Sequence, residues 1–192
     1  RHAVVAKSPL TGFWGESDCG GHWGVMLKRA GFDGVIIRGR SAKPVYLWVD
    51  EGGAEIRDAQ HVWGMDNYDV SEAIRSETEK SAEIASIGPA GEKLVKYAVV
   101  MTDGRDGRAA GRTGMGAVMG SKLLKAIAVH GTKRNEISDR QALLDSVRAI
   151  IPGMVSKAAG LSNYGTSGGI VNIEKLGDLP IRNWRVLCVA TE

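Results

Sequence analysis

Arginine and glycine alternate in residues 103–122, the stretch whose side chains suggest chemistry most strongly. Arg108 and Arg112 carry guanidinium groups, which bind phosphate oxygens through paired hydrogen bonds. Gly111 allows an anion to approach the backbone closely. A helix is predicted over residues 116–124, and a helix start offers free N–H groups and a positive dipole end. The stretch predicts a phosphate or pyrophosphate site, with a solvated basic loop as the alternative.

Two common phosphate-binding motifs do not match this stretch. In Gly120-Ser121-Lys122, Lys and Ser stand in the reverse of the Walker A order. About 13 residues separate Met101 from Gly114, which is too many for the tight turn of a dinucleotide fold, and no acidic residue ends the next strand. Lys133 and Arg134 could still hold a 2′-phosphate, so an NADP site remains an alternative.

A second glycine-rich stretch, residues 12–24, offers a different set of groups. Gly20 and the glycine after it permit close backbone approach, and Asp18 with nearby carbonyls provides oxygen donors suited to magnesium. Arg1 could add a cation. Cys19 and the nearby histidine would supply only two metal ligands, so we expect Cys19 to pack in the core.

Short strands and helices must position these loops. Apolar patterns predict strands at 3–6, 34–39, 44–49, 54–57, 82–87, 95–101 and 125–130, and helices at 23–30, 69–79, 116–124 and 138–155. Ser138 is the predicted N-cap of the last helix. Residues 1–7 resemble residues 96–102, and each is followed by a glycine-rich loop, a short helix and a strand. We therefore predict an α+β fold with a duplicated strand–loop–helix–strand unit and pseudo-twofold symmetry.

The composition excludes several classes of protein. The 192 residues are 43% hydrophobic and 24% charged, as in ordinary globular chains, and the 26 glycines cluster at turns. A net charge of +3 is too small to favour nucleic-acid binding, and the scattered tryptophans are expected to pack in the core. Two cysteines, Cys19 and Cys188, make no disulfide framework, which favours a cytoplasmic protein, and no apolar run is long enough to span a membrane. Because residue 1 is Arg, we expect a piece of a longer protein.

Taken together, these motifs resemble the N-terminal cofactor-binding domain of the tungsten-dependent aldehyde ferredoxin oxidoreductase family. The strongest matches are Lys7-Ser8-Pro9-Leu10-Thr11-Gly12 and Arg108-Ala109-Ala110-Gly111-Arg112. Further matching segments are 20–33, 43–46, 55–59, 63–64, 85–92, 116–122 and 179–184. The resemblance covers nearly the whole chain.

The resemblance implies a cofactor and roles for individual residues. Family members hold tungsten, sometimes molybdenum, between two pterins whose phosphates are bridged by magnesium. Arg1 would lie between the pterin and a [4Fe-4S] cluster, and the carbonyls of Asp18 and Ala109 would face magnesium. The residues expected to contact the pterins and their phosphates are Gly20, Arg108, Gly111 and Arg112.

The sequence also departs from the family pattern. The family usually has Asn where Asp18 stands and a small hydroxyl residue at Cys19. These changes are compatible with a role for the backbone carbonyl at position 18 but not with a role that depends on the side chain. Residues 186–192 do not resemble the family's continuation. The cysteines of the [4Fe-4S] cluster, the acid/base residues and the family's extreme N-terminus are not in this sequence. We expect residues 1–135 to be the cofactor-binding domain and 136–192 to begin a helical domain.

The function implied by the resemblance is oxidation of a small aldehyde to a carboxylic acid, with electrons passed through [4Fe-4S] to ferredoxin or an electron-transfer subunit. An oligomer in an anaerobic cytoplasm is expected. Reduction of an aromatic acyl-CoA within the same family is one alternative. A stand-alone NADP or phosphate-binding module is another, and nucleic acid is not an expected partner.

Overall fold

The computed structural model describes residues 1–134 and 136–184. It divides into two compact units, Arg1–Asn135 and Glu136–Glu192. All the predicted site residues lie in the first unit. In the part of the chain that is described, no helix is both long and apolar enough to cross a membrane.

The first unit contains strands and short helices in alternation. Its strands are β1 His2–Lys7, β2 Trp14–Cys19, β3 Val45–Asp50, β4 Gly53–Asp58, β5 Glu83–Ser86, β6 Val100–Thr102, β7 Arg108–Ala110 and β8 Leu124–Val129. Its α-helices are α1 Trp23–Ala30, α2 Asn67–Glu77, α3 Pro89–Glu92 and α4 Met115–Ser121, with 3₁₀ turns at Gln60–Val62 and Gly104–Asp106. The second unit contains α5 Arg140–Tyr164, a 3₁₀ turn at Gly165–Gly169 and α6 Ile170–Lys175.

The strands form two sheets. β1 and β2 are an antiparallel pair, in which Ala3 lies opposite Asp18. The other strands form a six-stranded sheet in the order β4-β3-β8-β5-β6-β7. The β3–β8 pair is parallel and the remaining pairs are antiparallel. This mixed sheet confirms the α+β class, while the duplicated unit stays a prediction.

Apolar side chains pack against both faces of the six-stranded sheet. Successive residues of β3 point to opposite faces. Val45 and Val49 join one cluster with residues of α1 and α4, whereas Tyr46 and Trp48 join another with residues of α2. Trp23 and Trp48 are buried, as expected from the sequence, but Trp14 is 75% exposed.

A buried ion pair fastens β8 to the turn that precedes α2. The Lys125 side chain is fully buried, and its ammonium pairs with the Glu92 carboxylate on α3 and donates to the Met65 carbonyl at 2.9 Å. Glu92 also accepts a hydrogen bond from the Gly64 N–H. Burial lowers the pKa of Lys125, and the paired carboxylate opposes that shift.

Two stretches differ from the conformation predicted for them. Residues 12–24, predicted as a loop, contain β2, because each residue from Trp14 to Cys19 lies opposite a residue of β1. Residues 34–39, predicted as a strand, join neither sheet of the described chain. Exposure nevertheless alternates there, with Ile36 85% exposed between half-buried Val35 and Ile37.

The second unit is helical, and its first helix has a different cap from the predicted one. Asp139, rather than Ser138, caps α5, because its carboxylate accepts from the Ala142 N–H at 2.8 Å. Gln141 donates to Asp145 instead of returning to the cap. The helix continues to Tyr164, beyond the predicted end, and none of its residues is buried within the described chain.

Candidate phosphate-binding site

The arginine–glycine stretch runs along the β7 edge of the six-stranded sheet. Arg108 lies on β7 opposite Thr102, and Arg112 follows in the turn before α4. Both residues are exposed, and neither forms an ion pair with any other residue that the structure describes. Arg105 differs, because it donates to the Glu72 carboxylate at 2.9 and 3.1 Å. Two guanidinium groups are therefore available to an anion.

The two glycine-rich stretches meet where β2 lies beside β7. The Arg112 N–H donates to Ser17 Oγ at 3.0 Å, and Cys19 Sγ lies 3.6 Å from Thr102 Oγ1. β2 and β7 are edge strands of different sheets. Each strand therefore has one edge whose backbone groups no described strand pairs. These contacts bring the two glycine-rich stretches close together.

Asp103 joins the two loops, and the sequence analysis missed it. Its carboxylate, only 5% exposed, accepts the His22 N–H at 3.1 and 3.2 Å and lies 3.5 Å from His22 Nδ1. A Cβ on Gly21, where φ is +82°, would fall 1.9 Å from Asp103 Oδ2. Gly21 thus makes room for this carboxylate. The Asp-Gly sequence at 103–104 signals only a turn, and no local pattern gives the distant partner.

Gly20 and Gly111 border open space. A Cβ on Gly20 would meet no atom within 4 Å, and one on Gly111 would meet its nearest neighbours at 3.9 Å. A side chain would fit the fold at either position. These two glycines leave room for a molecule to approach the backbone beside Arg108 and Arg112.

Two of the N–H groups at the start of α4 are already bonded within the protein. Gly114, Met115 and Gly116 are buried, and the Gly116 N–H donates to the Ala98 carbonyl at 2.9 Å. The Ala117 N–H donates to the Gly114 carbonyl. These two N–H groups are therefore not free to bind an anion, contrary to what the sequence predicts for a helix start.

The remaining predicted residues lie on the same strands or next to them. Arg1 precedes β1 and is exposed. Asp18 is an exposed residue of β2, and Ala109 is an exposed residue of β7 opposite Met101. Asp18 and Ala109 therefore belong to the two edge strands that lie side by side.

The buried side of this region contains His2 and Cys19. Both ring nitrogens of His2 are buried without a hydrogen-bond partner in the described structure, and its ring lies 4.8 Å from the Trp23 ring. Burial lowers the pKa of His2, which favours the neutral imidazole. Cys19 is 3% exposed and packs in the core, as expected, whereas Cys188 lies outside the described residues.

Comparisons with known proteins bear on this arrangement. The family model for the N-terminal domain of aldehyde ferredoxin oxidoreductase matches residues 1–131. The tungsten-containing aldehyde ferredoxin oxidoreductase of Pyrococcus furiosus is 45% identical over 189 residues, which cover 96% of this chain and 31% of that protein. The enzyme of the same name from Thermococcus kodakarensis is 47% identical with the same coverage. The chain thus spans about a third of the length of these relatives.

A solved structure is also similar. The active-site complex BamBC of benzoyl coenzyme A reductase, in complex with 1,5-dienoyl-CoA, matches with a TM-score of 0.73 and 39% sequence identity. The match covers 79% of this chain and 23% of that one. The family match includes all of residues 103–122, which contain the two unpaired arginines.

Proposed function

Since the chain belongs to the aldehyde ferredoxin oxidoreductase family, through that family's N-terminal domain, we propose that it binds the pterin cofactor of a tungsten-dependent oxidoreductase. One observation carries this proposal. Arg108 and Arg112, exposed and unpaired within the described chain, lie in the same region as Gly20 and Gly111, which border open space. Unpaired cations beside accessible backbone suit a phosphorylated, planar ligand.

Arg108 and Arg112 bind the phosphates of the two pterins. Each guanidinium can donate two parallel hydrogen bonds to a phosphate, and such charge-assisted bonds strengthen where water is excluded. Gly111 and Gly20 allow the pterins to contact the backbone. The fold orients these groups through the Arg112–Ser17 hydrogen bond and the Asp103–His22 hydrogen bonds.

Asp18 and Ala109 would provide backbone carbonyl oxygens to the cofactor's magnesium. Magnesium prefers oxygen ligands and keeps several waters, so two carbonyls are a suitable protein contribution. Support comes from the position of these residues, which are both exposed, on two strands that contact each other. The carbonyl role does not depend on the Asp18 side chain, which stands where the family usually has Asn.

The tungsten, or molybdenum, supplies the redox chemistry when the cofactor is bound, and the protein positions it. Arg1 would lie between the pterin and a [4Fe-4S] cluster whose cysteines are supplied from outside this chain. The whole protein oxidises a small aldehyde to a carboxylic acid and passes electrons to ferredoxin or an electron-transfer subunit, within an oligomer in an anaerobic cytoplasm. The name shared by the Pyrococcus and Thermococcus relatives supports this reaction.

A second reaction has a specific observation in its favour. The similarity to the benzoyl coenzyme A reductase complex, at 39% identity, supports reduction of an aromatic acyl-CoA on the same kind of platform. The pocket that would separate the two substrates is formed by parts of the protein outside this chain.

The architecture of the whole protein follows the same proposal. Residues 1–135 are the cofactor-binding domain, and 136–192 begin the next, helical domain. The helix–strand units that contain Gly20 and Gly111 are a duplicated pair related by a pseudo-twofold axis. In support, each strand hairpin, β1–β2 and β6–β7, is followed by a short helix, α1 or α4.

The cofactor content of the full-length protein, purified without oxygen, tests the proposal. We expect about one tungsten or molybdenum and about two pterins per protein, measured by elemental analysis and by pterin fluorescence after acid oxidation. Binding of NADP with neither metal nor pterin would support the stand-alone module instead. Salt-dependent binding of nucleic acid would indicate a basic interaction domain.

A further inference from the structure

A cavity of about 450 Å³ runs beside β1. All six residues from Arg1 to Ala6 line it. Successive side chains of a strand point to opposite faces, so a cavity that contacts every one of them lies along the edge of the strand. β2 pairs with one edge of β1, and the other edge faces this cavity.

A second unpaired segment, residues 34–38, borders the same cavity. Val35 and Ile37 line it, while Ile36 between them is 85% exposed. This alternation is typical of an extended strand with one buried face. Within the described part of the chain, residues 34–38 form no backbone-to-backbone hydrogen bond. The cavity therefore lies between two segments that both lack a strand partner.

The floor of the cavity is apolar. It is formed by Leu27 of α1, Met115 and Met119 of α4, and Leu124 and Ile127 of β8. These side chains belong to the core cluster that packs beneath α1 and α4, or pack against it. Free strand edges are normally covered in folded proteins, because their unpaired N–H and carbonyl groups would otherwise promote aggregation.

We propose that an extended segment of the same polypeptide, outside this chain, inserts between β1 and residues 34–38 as an added β-strand. Its backbone pairs with both neighbours, and its apolar side chains alternate onto Leu27 and Met119. Pairing along all of β1 requires about six residues, or roughly 20 Å of extended chain. A polar group of the same segment partners the ring of His2, whose nitrogens lack partners and which lines the cavity.

The length of the relatives favours the same polypeptide as the source of the added strand. The chain spans 31% of the curated relatives, so proteins of this family contain ample further sequence. An added strand gains affinity from backbone hydrogen bonds and specificity from alternate side chains in pockets, and both features are present here. This inference concerns the fold of the domain and does not depend on the identity of the cofactor.

Amide hydrogen exchange of the full-length protein tests the proposal. We expect the N–H groups of residues 34–38, and the β1 N–H groups not bonded to β2, to exchange at least about 100-fold more slowly than free amides at every protein concentration. Fast exchange in either segment would overturn the inserted strand. Protection that disappears on dilution would place the strand in a second copy and overturn the proposed source.

Two matched variants give a second measurement. Ile37→Asp places a charge against the floor of the cavity, and it should speed exchange across the cavity in β1 by at least about tenfold. Ile36→Asp changes the neighbouring exposed side chain and should leave β1 unaffected. Equal behaviour of the two variants would show that the two segments are not joined through an added strand.

Discussion

Glycine serves different purposes in two regions of the molecule. Around α4, a Cβ on Gly116 would lie 2.4 Å from the Val99 carbonyl, and one on Gly120 would lie 1.9 Å from the Gly91 carbonyl. In the turn before α4, Gly111 has no neighbour closer than 3.9 Å, and Gly20 in the other loop has none within 4 Å. The first region needs glycine for packing, whereas the second leaves open surface.

Glycines required for packing and glycines that leave room for a ligand therefore occur close together in the sequence. Glycines that touch backbone allow α4 to pack closely on α3 and on residues 98–99, which precede β6, so they contribute to stability. The glycines beside Arg108 and Arg112 contact few other atoms of the protein, so packing within the fold does not explain why these positions lack a side chain. A bound cofactor is the explanation proposed above.

The largest effect is expected where glycine touches backbone. Gly120→Ala should destabilise the full-length, cofactor-free protein by about 3 kcal/mol, because a rigid carbonyl cannot move out of the way. Urea denaturation measures this loss. Gly20→Ala is the matched control, and it should change stability by less than about 0.5 kcal/mol. Equal stability of the two variants would remove the distinction between the regions.

The next effect is expected in the open region. Gly111→Val should keep the cofactor-free protein within about 1 kcal/mol of the unmodified one, because its Cβ fits. The tungsten and pterin content should nevertheless fall at least about tenfold, since a side chain would block the approach to the backbone. Normal cofactor content in this variant would argue against the proposed contact.

The arginines allow a comparison within the same stretch. Arg108→Ala and Arg112→Ala should each weaken cofactor retention roughly 10- to 150-fold, because a charge-assisted hydrogen bond contributes about 1.5–3 kcal/mol. Arg105→Ala is the control, because that side chain is already bonded to Glu72. It should leave metal and pterin content unchanged. A similar loss for all three arginines would indicate a general effect of charge.

A smaller effect is expected behind the site, at the buried thiol. Cys19→Ser should cost about 1 kcal/mol of stability, because a buried hydroxyl still has the Thr102 hydroxyl nearby. The EPR spectrum of the reduced [4Fe-4S] cluster should remain the same. Loss of that signal would show that the thiol binds the cluster and that this side of β2 also belongs to the site.

The smallest effect concerns pH. Burial lowers the pKa of His2 in the folded protein below its ordinary value of 6.5. Between the folded and the unfolded pKa, the unfolded chain therefore binds more protons than the folded protein. Stability should therefore rise with pH up to about 6.5 and fall on acidification below it. His2→Phe should flatten this dependence, as measured by urea midpoints at several pH values. An unchanged slope in the variant would assign the pH dependence to other groups.

The sequence by itself determined the local features. The strands predicted at 44–49 and 54–57 are confirmed as β3 and β4, and the helix predicted at 23–30 is confirmed as α1. The arginine–glycine stretch could be identified because its residue types carry the chemistry themselves. The family could be identified for the same reason, since its motifs are contiguous in the chain.

Tertiary structure alone decided which residues meet. Asp103 bonds to His22, which is 81 positions away in the sequence, and Lys125 pairs with Glu92, which is 33 positions away. Neither contact leaves a local sequence pattern. Residues 34–39 show why periodicity misleads, since alternation reports which side of a strand is buried but not whether a partner strand is present. Likewise, no local pattern shows that the Gly116 N–H bonds to the Ala98 carbonyl. Hydrogen-bonding partners are set by distant parts of the chain, and only the folded structure brings them together.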